Sequence, residues 1–218
     1  MLKEDIDKEL IRRHGLDFHN KISNSKVAIC GLGGLGSNIA TLLARAGVGN
    51  IHLIDFDKVD LSNIHRQSYY INQIGKYKTQ ALKETLKKIN PYLKITCDNI
   101  RLNENNIKEL LQSDEIICEA FDDAIFKAML TNKVLEIFPN KYLIAASGMA
   151  GIGDANEIKT KKINEHFYLC GDQISDINNG LGLIAPRVMI CAAHQAQKVL
   201  QIIFNKQKKV IKWKIKIN

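Results

Sequence analysis

The sequence predicts an α/β fold, a doubly wound and mainly parallel sheet with an antiparallel extension in the last third of the chain. Three observations carry this. Short apolar runs alternate with segments of helical periodicity from residue 26 to residue 146, and such alternation gives parallel neighbours because each helix returns the chain to the edge where the last strand began. A glycine-rich turn, Gly31-Leu32-Gly33-Gly34-Leu35-Gly36, joins the first apolar run to the first strongly periodic segment. From residue 157 two strand patterns follow one another without an obvious helix between them, which is how antiparallel neighbours arise. Together these mark a Rossmann-like sheet, and residues 1–218 are expected to form one domain on it.

In order, residues 1–22 read as an amphipathic helix and linker, with Ile6, Leu10 and Ile11 on one side and Arg12, Arg13 and His14 following; a solvated charged face would use the same residues. Val27 to Cys30 is a buried strand. After the glycines, Ile39, Leu42, Leu43 and Ala46 recur at three- and four-residue steps, one face of a helix that Gly47 and Gly49 end. Ile51 to Ile54 is the second strand and closes on Asp55. Residues 56–76 form a polar connection, and 75–90 are helical through Ala81, Leu82, Leu86 and Ile89 until Pro91. Leu93 to Cys97 reads as a strand, 103–112 as a short helix and Glu115 to Cys118 as a strand. Ala124 to Phe138 is a helix, and Tyr142 to Ala146 a fifth strand with a loop over 147–151. Strand patterns at 157–162 and 166–169 precede a glycine- and asparagine-bearing loop over 170–183 and a long helix from Pro186 to Phe204. Ile211, Trp213, Ile215 and Ile217 alternate with lysines, the pattern of a half-buried final strand. Ligands of such sheets bind beyond the carboxyl ends of the strands, and Asp55, Asp122 and Ser147 map to that rim.

Composition narrows the class. Hydrophobic residues make up 45% of the chain, enough for an ordinary core, and no apolar run approaches the ~20 residues of a membrane span. The N-terminal segment is charged from Lys3 onwards and lacks the apolar centre of a secretory signal, so a cytoplasmic location and no membrane partner are expected. The net charge is +8, but the lysines are dispersed and no arginine-rich helix accompanies them. An acidic protein partner, ATP or compositional drift accounts for that balance better than nucleic acid does. Cys30, Cys97, Cys118, Cys170 and Cys191 are odd in number and form no CxxC pair, so no disulfide framework is expected.

The stretch from Lys26 to Gln67 concentrates the chemistry: strand, glycine turn, helix, strand, acid. Glycines permit the tight turn and leave no side chain between main chain and a phosphate, and the opening N–H groups of the helix attract an anion. Asp55 stands about 20 residues beyond the turn, where a carboxylate can accept from ribose hydroxyls. Nucleotide binding is the expectation; the alternative is glycines that serve only close packing of helix on strand. Asn63, Arg66, Gln67 and Lys78 then supply two amides and two cations soon after the acid. That is more positive charge than a nicotinamide dinucleotide needs, and it suits a triphosphate, gripped bidentately by Arg and as a point charge by Lys. An NAD(P)-dependent oxidoreductase is the rival from another class.

Taken in order and spacing, Gly31-Leu-Gly-Gly-Leu-Gly-Ser37, Arg45-Ala-Gly-Val-Gly49, Asp55-Phe-Asp57, Asn63-Ile-His-Arg-Gln67 and Gly75-Lys-Tyr-Lys78 resemble the ThiF/MoeB family, the bacterial relatives of the ubiquitin-activating enzymes. Glu119-Ala-Phe-Asp122-Asp123 resembles the family's acidic segment, and Ala185-Pro-Arg-Val188 with His194-Gln-Ala196 its late helix. The resemblance thus covers nearly the whole chain. Its short length and Leu169-Cys-Gly-Asp172 are most similar to the compact ThiF branch of thiamine biosynthesis.

The resemblance implies ATP-dependent adenylation of the C-terminal glycine of a ubiquitin-like sulfur carrier, ThiS in that branch, giving acyl-adenylate and pyrophosphate. Carriers of molybdopterin or cysteine synthesis, or a tRNA base, are alternatives within the class. A noncatalytic scaffold subunit is a further alternative, but it would lack the cations of residues 63–78, which are present. By the same resemblance Gly31, Gly33, Gly34 and Gly36 lie against the nucleotide and Asp55 holds the ribose. Asn63, Arg66 and Lys78 meet the phosphates, Asp57 and Gln67 complete the nucleotide set, and Asp122 places Mg²⁺ or the α-phosphate. A helix N-cap is the alternative role for Asp122. Arg66, Lys78, Asp122 and an N-terminal arginine, Arg13 or its neighbour Arg12, are the implied catalytic residues. That arginine reaches into the partner's site, which makes a homodimer necessary. Many relatives carry a zinc site of two CxxC pairs, absent here, so no zinc is expected. In some relatives a loop cysteine joins the activated carrier; Cys170 is the candidate, with ordinary burial as the alternative. Asp123 stands where an Asn is common.

Overall fold

The structure is a computed structural model and describes residues 2–178 and 180–214, with 206–214 as main chain alone. Its strands are β1 (Lys26–Cys30), β2 (Asn50–Ile54), β3 (Lys94–Asp98), β4 (Ile116–Glu119), β5 (Tyr142–Ala146), β6 (Lys159–Lys162) and β7 (Phe167–Gly171). They form one sheet in the order β3-β2-β1-β4-β5-β7-β6. Every pairing is parallel except β6 on β7, so the expected antiparallel extension is one edge strand. The helices are α1 (Lys3–His14), α2 (Leu16–Ser23), α3 (Gly34–Ala46), α4 (Lys78–Ile89), α5 (Ile107–Leu110), α6 (Ala124–Ile137) and α7 (Ala185–Lys214).

Both faces of the sheet are covered, and β1 shows how. Val27 and Ile29 pack into the larger core with Ile39, Leu43, Leu82, Leu86 and Val199 of α3, α4 and α7. Ala28 and Cys30 turn to the opposite core with Ile107, Leu130 and Val134 of α5 and α6. A strand buried on both sides reads as an unbroken apolar run, which is what Val27 to Cys30 is. The chain winds from β1 to β2 and β3 on one side and continues through β4 and β5 on the other. The strand order therefore reverses at β1 and β4, and a crevice opens beyond their carboxyl ends. No helix among the described residues is long and apolar enough to cross a membrane.

Four local readings change. The expected linker before residue 22 is the helix α2, set off from α1 by Gly15 at φ +81 and burying His19 and Ile22. The short helix expected over 103–112 shrinks to α5, because the Asn103 side chain accepts from the N–H groups of Asn105 and Asn106 and competes with helix there. Strand β7 extends to Gly171, so Cys170 lies in the sheet rather than in the following loop. Helix α7 runs on through Lys214, where alternation predicted a strand over 211–217. No Gly or Pro follows Pro186, so nothing in the sequence stops the helix; residues 215–217 of that predicted strand lie outside the described residues.

Candidate functional site

Beyond the carboxyl ends of β1, β2, β4 and β5 lies a cleft of about 1160 Å³, lined among others by Gly31, Gly33, Gly34, Asp55, Asp57, Arg66, Lys78, Asp122 and Ser147. Most of the residues singled out from the sequence therefore meet in one place. Gly36, Asn63, Gln67 and Arg13 are not on its wall.

The glycine turn divides into two pairs of roles. A Cβ on Gly36 would lie far inside contact distance of the Gly31 carbonyl oxygen, and Gly31 sits at φ +89 against Ala120 and Phe121. These two let helix, turn and strand approach. A Cβ on Gly33 would meet nothing nearer than the Gln67 amide at 3.8 Å, so that position faces open cleft. Helix α3 opens at Gly33 without a side-chain cap, leaving its first N–H groups directed at the crevice.

Asp55 ties the turn to β2. Its carboxylate accepts from the Leu32 N–H at 2.6 Å and the Asp57 N–H at 2.8 Å. Burial lifts its pKa above the usual carboxylate value, against the pull of nearby Lys78 and those two N–H donors. Each oxygen keeps a lone pair for a ribose hydroxyl.

Lys78 opens α4, is only 7% exposed, and donates to Asp57 Oδ2 at 2.9 Å. Arg66 is placed by a 3-10 turn over Leu61–Asn63, whose Asn63 carbonyl accepts from the Arg66 and Gln67 N–H groups at 3.2 and 3.1 Å. The first turns of α3 hold the same segment. Asn38 donates to the Arg66 carbonyl at 3.1 Å, and Ser37 Oγ accepts from the Ser68 N–H at 3.0 Å. Tyr69 donates to the Leu32 carbonyl at 2.8 Å, locking this connection onto the glycine turn. The guanidinium of Arg66 donates to the Ser62 carbonyl, while its Nε is buried and has no partner among the described residues. Asn63 and Gln67 thus support the turn around Arg66 and the glycines rather than line the cleft.

At the end of β4 the two neighbouring acids part. Asp123 is the N-cap of α6, accepting from Ile125 and Phe126 N–H at 2.8 and 3.1 Å. Asp122 is exposed on the cleft wall and has no hydrogen bond or ion pair among the described residues. The capping role weighed for Asp122 therefore belongs to its neighbour. Among the described residues no group of three or more His, Cys, Asp or Glu side chains could hold a metal ion. A single free carboxylate suits Mg²⁺, which takes one or two carboxylates together with phosphate oxygens and water.

Two cations on the wall escape sequence reading. Lys127 of α6 reaches back to both oxygens of the fully buried Glu119, at 2.9 and 3.0 Å, and to the Phe121 carbonyl. The signal was an acid closing an apolar strand, since such a charge needs a cation within a helical turn or two. Arg101 comes from the loop between β3 and α5 and carried no signal.

Arg13 lies near the end of α1 and pairs with Glu9 at 2.9 Å, as does Arg12 at 2.6 Å. Helix α1 packs where the strands begin, with Leu10 beside Gly47, so neither arginine approaches the cleft of its own chain. Cys170 is fully buried and within 3.4 Å of Thr160 Oγ1, and burial pushes its thiol up to about 11. That is the setting of a structural thiol, not of a nucleophile. Its neighbour Asp172 accepts from Arg187 at 2.6 Å and fastens the loop after β7 to α7. The N–H groups of Ile174 and Ser175, with Arg187, outweigh burial and hold Asp172 at about 2.

A strand-turn-helix nucleotide cradle with two cations and a free carboxylate beyond the sheet defines a class, and the chain belongs to the ThiF family, whose sequence model matches residues 7–217. It is 27% identical over 215 residues to molybdopterin-synthase adenylyltransferase from Escherichia coli strain K12, covering 93% of this chain and 85% of that protein. It is 32% identical over 207 residues to adenylyltransferase and sulfurtransferase MOCS3 from Caenorhabditis briggsae, covering 88% of this chain but 49% of that protein, so the chain spans about half the length of this relative. Among solved structures, E. coli tRNA N6-threonylcarbamoyladenosine dehydratase, TcdA, in complex with ATP superposes with a TM-score of 0.83 over 93% of this chain and 95% of that one. At 20% identity that likeness speaks for the fold.

Proposed function

We propose that this chain is an Mg²⁺–ATP-dependent adenylyltransferase that, as a cytoplasmic homodimer, activates the C-terminal glycine of a ThiS-type sulfur carrier for thiamine synthesis. One observation carries the reading: a single cleft gathers an open glycine turn, a ribose-competent acid, two cations and an unpartnered carboxylate. The names of the relatives support adenylyl transfer. The lack of CxxC pairs, with the Leu169-Cys-Gly-Asp172 segment, favours the thiamine branch over the molybdopterin one.

The chemistry joins two anions. A carboxylate oxygen of the carrier attacks the α-phosphorus, an acyl–phosphate bond forms, and the bond to the β-phosphate oxygen breaks with its electron pair leaving on pyrophosphate. No proton has to move. The barrier is repulsion and misalignment, so catalysis is screening and positioning. Lys78 and Arg66 supply the screening, Arg66 with an Nε that still lacks an acceptor. The uncapped N-terminus of α3 adds its dipole, and Asp55 fixes the ribose. Mg²⁺, when bound, neutralises phosphate charge; Asp122 is the carboxylate placed to hold it. Arg13, with Arg12 as its alternate, is assigned to the partner subunit's cleft, since its own is out of reach. Leu61, Tyr70, Ile71 and Ile74 are exposed along the segment that carries Arg66, apolar surface that a second subunit would cover.

The test is ATP–pyrophosphate exchange with ThiS beside a molybdopterin-type carrier. Exchange should require a carrier with intact terminal glycines and favour ThiS. Asp122→Ala should abolish it while thermal unfolding stays unchanged, because the side chain is exposed and unpaired. Normal exchange by that variant removes Asp122 from the site, and nicotinamide turnover would replace the reading with an oxidoreductase.

A further inference from the structure

Arg101 has no part in the reaction just derived, yet it stands on the wall of the same cleft. Its guanidinium carbon lies 4.6 Å from the ring centre of Phe56 and 4.7 Å from that of Phe126. Among the described residues it makes no ion pair, although Asp122 and Asp123 line the same space. A guanidinium resting on rings in place of an acid keeps its charge un-neutralised and its N–H groups unpaired for a ligand.

The two rings mark where that ligand ends. Phe56 directly follows Asp55, so a base joined to a ribose on Asp55 falls against Phe56, with Ile100 and Leu102 beside it. Phe126 belongs to the first turn of α6, on the face of the sheet opposite α3 and α4. Arg66 and Lys78 approach from the α3 and α4 side and take the phosphates. Arg101 reaches over from the α5 and α6 side, at the other end of the nucleotide.

We propose that Arg101 is a purine clamp, bridging Phe56 and Phe126 and closing over the base of the bound nucleotide. This rests on the adenylation reading above and adds a specificity-determining residue to it. A stacked guanidinium favours a large, electron-rich purine over a smaller pyrimidine and is indifferent to the triphosphate.

The experiment titrates the full chain with ATP, CTP and inorganic tripolyphosphate by calorimetry, without carrier, for wild type, Arg101→Ala and Arg101→Lys. Arg101→Ala should weaken ATP about 10-fold, narrow the preference for ATP over CTP, and leave tripolyphosphate unchanged. Arg101→Lys, which keeps the charge but not the plane, should behave nearer to Ala in the ATP-to-CTP ratio. If tripolyphosphate weakens in step with ATP, Arg101 is a phosphate ligand and the clamp is refuted. If ATP affinity is unchanged in both variants while wild type binds ATP, the clamp fails and the adenylation reading stands. If wild type binds no ATP, the adenylation reading falls and the clamp with it.

Discussion

Replacing Lys127 by Met isolates the part of the fold that presents Asp122. Lys127 donates to both oxygens of Glu119, and the Phe121 N–H donates to the same carboxylate at 2.8 Å. Glu119 has 0% exposure, and burial already raises its pKa despite Lys127. Without the cation the variant must either bury a bare carboxylate or protonate it. Protonating a carboxyl of ordinary pKa 4.5 at pH 7 costs about 3.4 kcal/mol at ~1.4 kcal/mol per unit, which agrees with the ~3–5 kcal/mol lost when a buried pair loses one partner. The sign in pH follows. With its folded-state pKa raised above the unfolded value, Glu119 penalises the variant fully at high pH and hardly at all below 4.5. Urea denaturation should therefore show a loss near 3 kcal/mol at pH 7 and under about 1 kcal/mol at pH 5. Glu119→Gln in the same background should recover most of the loss at pH 7. A loss below about 1 kcal/mol at pH 7, or one independent of pH, would refute the reasoning.

Three further outcomes follow. Gly36→Ala should fail to fold or lose several kcal/mol through its clash with the Gly31 carbonyl, whereas Gly33→Ala should unfold like wild type and lose nucleotide affinity, as calorimetry can check. His52 Nδ1 and Nε2 lie 2.8 and 2.7 Å from Asp114 and Asp98 and donate to both when the ring is protonated; burial alone would depress the imidazole, but those carboxylates outweigh it and raise its pKa above 6.5. Its stabilisation is thus complete below about 6.5 and is lost as pH rises through the folded-state value, so denaturation free energy should fall across that window in wild type and stay flatter in His52→Gln. Cys170 should resist iodoacetamide in the native protein at pH 8 and react only on unfolding, read by peptide mass; rapid native labelling would restore it as a candidate nucleophile.

The sheet was legible because its signals are local. Val27 to Cys30 and Tyr142 to Ala146 are apolar on both faces, and the glycine turn and Pro91 punctuate the helices around them. Asp55, Asp122 and Ser147 could be placed at the rim because strand ends in a parallel sheet share one edge, whereas Arg66 and Lys78 were reached through the charge pattern and the family resemblance. What escaped was set by contacts distant in sequence. Arg101 meets Phe56 and Phe126 across two strands, and Ser37 and Asn38 hold residues 66–68 through side-chain bonds. Asn103 looked helical by position until its own side chain took the N–H groups the helix needed. The lysine-isoleucine alternation near the C-terminus suited a strand, but an alternating run with no breaker also continues a helix, and in the described residues it does so through Lys214.

The central claim is that a carrier carboxylate displaces pyrophosphate from the α-phosphorus in this cleft. Incubating the chain with Mg²⁺–ATP and a ThiS carrier labelled with ¹⁸O in its terminal carboxylate, then cleaving the product with hydroxylamine, tests it at the atom concerned. The account predicts AMP carrying one ¹⁸O, with no label transferred by the Asp122→Ala variant. Unlabelled AMP from the wild-type reaction would mean that water, not the carrier, attacks phosphorus, and would contradict it.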